Sequence, residues 1–255
     1  MKPQEPRAYG ATELDYNNYL HIPQLLQLQK PQSEPAHHDE MLFIIIHQAY
    51  ELWFKLILHE LEQAMEHVKK NEVLKAQHFV KRVVEIFRIL VPQIHILETM
   101  RPVDFLAFRD RLNPASGFQS AQFRELEFFA GLKEERYLAF FKNRPELVEI
   151  LQKRLDGPDL RTEFLAMLGR KKLEIRPIYQ RPEEHLEVYL FCESLVELDQ
   201  YLGLWREHHV RVVERIIGFK QGTGGSSGVG YLRSTTSKKC FPELWDVRSE
   251  LVKES

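Results

Sequence analysis

The chemistry within reach of this sequence lies in two histidines and one glycine-rich stretch. Histidine is the side chain that most readily binds a metal or moves a proton near neutral pH, and most of the eleven present fall on polar faces. His209 does not. It lies four residues after Trp205 and seven before Ile216, on the apolar stripe of a helical pattern, whereas His208 points elsewhere. His47 follows Phe43 by one helical turn within another apolar stretch. A histidine on an apolar face is either a hydrogen-bonded core residue or a ligand, and spacing alone leaves both open. Two such residues on two long helices allow a cofactor between them.

The third feature is "GFKQGTGGSSGVGYL" at 218–232. Gly225 and Gly230 have the outer spacing of a phosphate-binding GxxxxGK[ST] loop, but Tyr231 stands where the lysine belongs. A dinucleotide fingerprint fails as well, because Ser227 replaces its last glycine and a helix, not a strand, precedes the run. Gly218 sits where a glycine would end that helix. The chain beyond the glycines, "VGYLRSTTSKKCFPELWDVRSELV", returns to aromatic and apolar residues, so the stretch is a linker or a lid folded over a site.

Exclusion narrows the cofactor. A di-iron bundle needs Glu-x-x-His pairs, and the one such spacing, Glu34 to His37, crosses Pro35 in a loop. His59-Glu60 leads to Gln63, so there is no HExxH zinc site. There is no CxxCH for covalent haem and no cysteine pair at zinc or iron–sulfur spacing. Non-covalent haem with one histidine ligand stays open.

Long helices must position these groups. Residues 38–69 contain neither Gly nor Pro, and Leu42, Ile45, Ala49, Leu52 and Leu56 share one stripe. Phe43, Ile46, Tyr50 and Phe54 make a second apolar side, so the first half is expected to be surrounded by protein. His59, Glu60 and Gln63 interrupt the first stripe in the second half, where Ile57, Leu61, Ala64 and Val68 suggest only partial burial. Further helices are expected over 72–96, ended or interrupted near Pro92, over 119–130 and 144–156, and over 183–217, with Leu195, Leu198, Leu202, Trp205, Val212 and Ile216 as the stripe of the last. Pro177 spoils the one strand-like run, "LEIRPIYQR" at 173–181, and "GRKK" at 169–172 reads as a solvated connection. The fold class is all-α, with no repeat and no domain boundary.

The chain has 255 residues, 44% hydrophobic, enough for a sizeable core. A formal charge of −2, from 35 basic and 37 acidic residues, gives no global field for nucleic acid or an anionic membrane. No apolar run reaches the ~20 residues of a membrane span, and no signal-like segment opens the chain. Cys192 and Cys240 cannot build a disulfide framework, which fits a reducing, cytoplasmic setting.

Five blocks together resemble one family. They are "HDEMLFIIIHQAYELWFK" at 38–55, "FLAFRDRLNPASGFQSAQFRELE" at 105–127, "LWREHHVRVVERIIGFKQGTGGSSGVGYLR" at 204–233, "CFPELWDVRSEL" at 240–251 and, more weakly, "YNNYLHIPQLLQLQ" at 16–29. The sequence is similar to the tryptophan 2,3-dioxygenases, all-helical haem b enzymes that open the indole ring of L-tryptophan with O2. Residues 130–185 carry little of that signature. The resemblance implies a single domain over 1–255, a helical bundle whose long central helices enclose a non-covalent haem. It makes His209 the proximal iron ligand and His47 the distal histidine that hydrogen-bonds the indole N–H. Phe43 and Phe105 match aromatic positions of the substrate pocket, Arg109 the clamp of the substrate carboxylate, and Thr223 the threonine that helps hold the amino-acid head group. Ser116 and Gly117 match a segment bordering the haem edge. It further implies a homotetramer in which segment 1–36 crosses to a neighbouring subunit, where Tyr16, Tyr19 and Leu20 help close the substrate pocket. Residue pattern alone leaves that cluster equally free to pack onto its own core. The competing functions are a haem enzyme acting on a modified indole or another aromatic amino acid, a non-catalytic haem sensor, and a helical module without cofactor.

Overall fold

The computed structural model describes residues 14–220 and 228–252, and among these there are helices and no strands. Twelve α-helices follow one another among the described residues: Tyr16–Leu20 (α1), Ile22–Leu25 (α2), His38–Lys69 (α3), Val73–Gln93 (α4), Pro102–Arg109 (α5) and Ala121–Ala130 (α6). Pro145–Asp156 (α7), Leu160–Lys171 (α8), Ile175–Gln180 (α9), Leu186–Ile217 (α10), Val229–Thr235 (α11) and Pro242–Glu250 (α12) complete the order. Local chemistry sets many of the ends. Ser120 and Asp159 accept hydrogen bonds from Phe123 and Thr162 backbone N–H groups and so start α6 and α8. Pro92 removes a hydrogen-bond donor near the end of α4, and the chain continues as a 3₁₀ turn over Ile94–Thr99. Gly218 follows α10 with φ 61° and ψ −138°, a conformation that only glycine adopts without strain.

Three helices build the frame, and their register is fixed by side-chain pairs. Glu60 on α3 pairs with Arg82 on α4, and His67 stacks on Phe79, so α3 and α4 run antiparallel. Gln77 donates to the Leu190 carbonyl and Lys81 to Glu197, so α4 and α10 run parallel. The first half of α3, the 3₁₀ turn and the second half of α10 therefore meet at one end of the bundle. There the α4 spacer has given out, and α3 and α10 face each other across a gap.

The stripe on α10 is buried as its periodicity implies, from Leu195 to Ile216. On α3 the two expected halves are exchanged. Ile57, Leu61, Ala64 and Val68 are fully buried, because they pack against the Val73–Ala76–Val80–Val83–Phe87–Leu90 stripe of α4. In the first half Ile46, Tyr50 and Phe54 face inward, while Ile45 and Leu52 of the other stripe are 48% and 56% exposed. Among the described helices α3 alone is long and apolar enough to cross a membrane by length and composition, and only 28% of its most apolar stretch is buried in the single chain.

One further expectation is corrected. The "GRKK" run is not a loop: Gly169 to Lys171 form the last turn of α8, and Lys172 ends it at φ 55°. Arg170 there donates to the Val68 carbonyl and to Asn71 Oδ1, at 2.9 Å each, and so satisfies the exposed end of α3. The 173–181 run forms no strand, as Pro177 implies; its Ile175–Gln180 part is the short helix α9. Pro177 lies in the first turn of α9, where no intrahelical N–H is required. At the C-terminus, the buried Asp199 of α10 accepts from Cys240 N–H, Phe241 N–H and Trp245 Nε1 at 2.7, 3.0 and 3.1 Å, which pins the start of α12 to the frame.

Candidate active site

A cavity of ≈ 240 Å³ fills the gap between α3 and α10. Phe43 and His47 reach it from α3, Phe105 and Arg109 from α5, Ser116 and Gly117 from the segment before α6, and His209 from α10. Seven residues singled out in the sequence thus share one wall system. Thr223 lies outside the described residues. Gly228, Tyr231, Leu232 and Thr235 line the same cavity, so the chain beyond the glycine stretch does fold back across the site. Tyr16, Tyr19 and Leu20 do not reach it: they are 67%, 70% and 41% exposed and do not pack onto the core of their own chain.

Aromatic side chains shape the interior. The Phe43 ring lies 4.1 Å from the His47 ring and 5.6 Å from Phe105. Tyr50 and Phe54 meet Trp205 edge-on at about 6 Å, and Trp205 stacks on His209 at 5.2 Å. Tyr50, Phe54 and Trp205 sit on α3 and α10 at multiples of a helical turn from the two histidines, so the same stripes that bury the core carry the imidazoles.

His47 has a defined tautomer. Its Nδ1 lies 2.7 Å from the Phe43 carbonyl, which can only accept, so Nδ1 carries the proton and donates. Nε2 of the neutral ring is then bare and able to accept. Burial holds the His47 pKa below the ordinary imidazole value; the hydrogen bond to Phe43 and the Glu51 charge oppose this more weakly. Glu51, one turn further on, is held by Gln122 at 2.8 Å.

His209 is half-buried by accessible surface, and that surface borders the cavity; protein encloses it otherwise. Burial, then the facing His47, then the Arg124 charge push its pKa down to about 4, so the ring is neutral at physiological pH. Neither of its nitrogens is hydrogen-bonded to a described residue. A neutral imidazole, enclosed and without an acceptor or donor among the described residues, is what a metal ligand presents before the metal is considered. No cluster of three His, Cys, Asp or Glu side chains able to hold a bare metal ion occurs among the described residues. Gly117 adds open space beside its Cα, with no atom within 4 Å of where a Cβ would stand. Haem fits this donor set: one free imidazole, an apolar aromatic slot, and room at the Ser116–Gly117 edge.

Sequence reading missed one part of the wall. Arg124 and Glu127 of α6 and Arg206 of α10 are buried and line the cavity. The available signal was their position inside apolar runs, "FRELEFF" and "LWREH", where a solvated charge has no place.

Fold and site define an all-α small-molecule-binding protein whose enclosed, aromatic cavity is faced by two neutral imidazoles from two long helices. The sequence profile of the family described as Tryptophan 2,3-dioxygenase matches residues 3–177 and 170–251. The chain belongs to the tryptophan 2,3-dioxygenase family. Among similar proteins, the tryptophan 2,3-dioxygenase of Xanthomonas euvesicatoria pv. vesicatoria (strain 85-10) is 42% identical over 261 residues, 93% of this chain and 88% of the relative. That of Myxococcus xanthus (strain DK1622) is 42% identical over 260 residues, covering 93% and 89%.

Proposed function

We propose that this chain is a haem b dioxygenase that inserts both atoms of O2 across the indole C2–C3 bond of L-tryptophan, giving N-formyl-L-kynurenine, the first step of tryptophan breakdown by the kynurenine pathway. Oxidation of tryptophan is the activity of the family to which the chain belongs. The observation that carries the assignment of roles is the single cavity that gathers the free imidazole of His209, the bare Nε2 of His47 and the guanidinium of Arg109.

His209 Nε2 or Nδ1 would bind the haem iron, with Ser116 and Gly117 along the haem edge. Bound there, haem supplies the activation of O2. The protein's own groups then orient the substrate. His47 Nε2 accepts the indole N–H, and its lowered pKa makes it a poor base, which favours an anchoring role over deprotonation. The rings of Phe43 and Phe105 bound the indole. Arg109 binds the carboxylate in a two-pronged charge-assisted pair, and Thr223 is assigned to the ammonium and carboxylate end. Holding reacting atoms in register can lower a barrier by roughly 7–11 kcal/mol at the upper end. The aromatic lining also excludes water. The test is aerobic incubation of the reduced, haem-loaded protein with L-tryptophan: N-formylkynurenine absorbance should rise with turnover, and its absence in a haem-replete sample would overturn the proposal.

The assembly we infer is a homotetramer whose sites are completed in trans by Tyr16, Tyr19 and Leu20 from segment 1–36. Their exposure supports this, as does the uncovered Met41–Ile45–Leu52 stripe of α3. Gln29 Nε2 and Gln48 Oε1, 2.6 Å apart, lead the N-terminal segment along that stripe. Deleting residues 1–22 is expected to raise KM for tryptophan about tenfold or more, the equivalent of ~1.4 kcal/mol, and to lower the mass seen by light scattering, with haem retained. A truncated tetramer of normal KM would refute it. A cytoplasmic location is part of the same reading and is consistent with Cys192 and Cys240 being buried free thiols.

A further inference from the structure

A buried ion triad sits in the cavity wall, and no substrate-binding role requires it. Glu127 accepts hydrogen bonds from Arg124 Nη1 and, at 2.7 Å, from Arg206 Nη2. Arg206 Nη1 also donates to the Lys238 carbonyl at 3.2 Å, so the triad ties α6 and the segment before α12 to α10, three residues ahead of His209. All three side chains are at least nine-tenths buried. The Arg124 guanidinium lies over the Tyr137 ring at 4.4 Å. Outside the triad, Glu134 is shared by Lys238 and the exposed Arg136. Within the triad, two guanidinium groups and one carboxylate sum to one positive charge, and the Glu51 carboxylate lies elsewhere in the same cavity lining. Among the described residues the Nε atoms of both arginines have no hydrogen-bond partner, and both residues line the cavity.

Stability does not account for such a group. Removing two cations and an anion from water costs more than their mutual attraction reliably returns, and apolar replacements of such triads are often neutral or stabilising. A fixed charge in a low-dielectric wall does have one large effect: it biases any nearby equilibrium that changes charge. Arg124, Glu127 and Arg206 line the same cavity as His209.

We propose that Arg124, Glu127 and Arg206 form a positioning and charge-setting device for the haem ligand, holding α10 in register at His209 and placing one net positive charge beside the haem, which favours its ferrous form. The inference rests on the haem dioxygenase reading of the same cavity. The less positive ferrous iron is the form that a neighbouring cation destabilises less, so the triad raises the reduction potential.

The experiment is spectroelectrochemical titration of the haem-loaded full-length protein and its variants. Glu127→Gln adds one net positive charge at nearly constant shape and should raise the ferrous-to-ferric ratio at a fixed potential about tenfold, an upward shift of ~59 mV for one electron. Arg124→Gln removes one positive charge and should lower the ratio by a similar factor. Arg124→Lys keeps the charge and should stay near the parent protein. A purely structural triad would move all three variants in one direction, and that result, or unchanged potentials, overturns the inference. Should Glu127→Gln fail to fold, the Arg124→Lys and Arg124→Gln pair decides alone: equal shifts in both sink the proposal. A parent protein that takes up no haem would overturn the haem reading and this inference together, whereas a haem-replete protein with charge-insensitive potentials overturns this inference only.

Discussion

Replacing His209 by alanine is expected to give a helical protein that no longer retains haem. His209 lies on the buried stripe of α10 between Trp205 and Val212, and its ring makes a stacking contact with Trp205 but no hydrogen bond to a described residue. Little holds the imidazole for the sake of the fold. Alanine is the best helix former, so the truncation should leave far-UV circular dichroism unchanged and thermal unfolding close to that of the parent. With His209 as the proposed ligand, the truncation removes the protein's bond to the haem iron. Changes one shell further out typically cost 10–100-fold in metal affinity, so loss of the ligand itself should exceed roughly 100-fold. The readout is the Soret band and haem content after gel filtration, and free imidazole added to the variant should restore part of both. Full haem content with an unaltered spectrum would show that another group binds the iron.

Arg109→Leu should be almost as damaging to catalysis while leaving haem in place. Arg109 is half-buried at the end of α5, one turn beyond Phe105, and lines the cavity. A carboxylate brought into such a site without its guanidinium is a buried charge left unpaired. Truncating one partner of a buried hydrogen-bonded charge pair costs about 2–5 kcal/mol, or roughly 30- to several thousand-fold in kcat/KM. The substrate series separates clamp from scaffold. If Arg109 binds the carboxylate, the variant should lose its preference for tryptophan over tryptamine, which has no carboxylate, with the Soret band unaltered. Parallel loss on both substrates with loss of haem would mean that the residue supports the fold instead.

How much of this was legible in the sequence depends on the element. The α10 stripe was legible because every residue on it meets other helices, so periodicity and burial coincide. On α3 periodicity gave two apolar stripes with nothing to rank them. The inner one continues through Tyr50 and Phe54 to Ile57 and Leu61, and the choice was made by α4, whose small and branched residues Val73, Ala76, Val80 and Val83 fit against it. The end of α8 was misread because "GRKK" has loop composition, yet basic residues belong in the last turn of a helix, where they meet the carbonyl end of the dipole. Arg170 extends that task to the end of α3. Arg124, Glu127 and Arg206 were passed over because charge in a helix normally means a solvated face; only their pairing with each other makes them tolerable inside.

By itself the sequence determined the helical class, the two long carriers of His47 and His209 and, through its five matching blocks, the family. These depend on residue type and on spacing within one segment, which the chain states directly. Tertiary structure alone decided that the histidines look into one cavity. The two residues are separated by α4 through α9, and their meeting depends on α3 running antiparallel to α4, on α4 running parallel to α10, and on Pro92 ending the spacer between them. It decided also the protonation of His47, since burial keeps the ring neutral while the Phe43 carbonyl accepts the hydrogen bond from Nδ1–H. Distances across the chain and the loss of water around a group are properties of packing, and no single segment contains them.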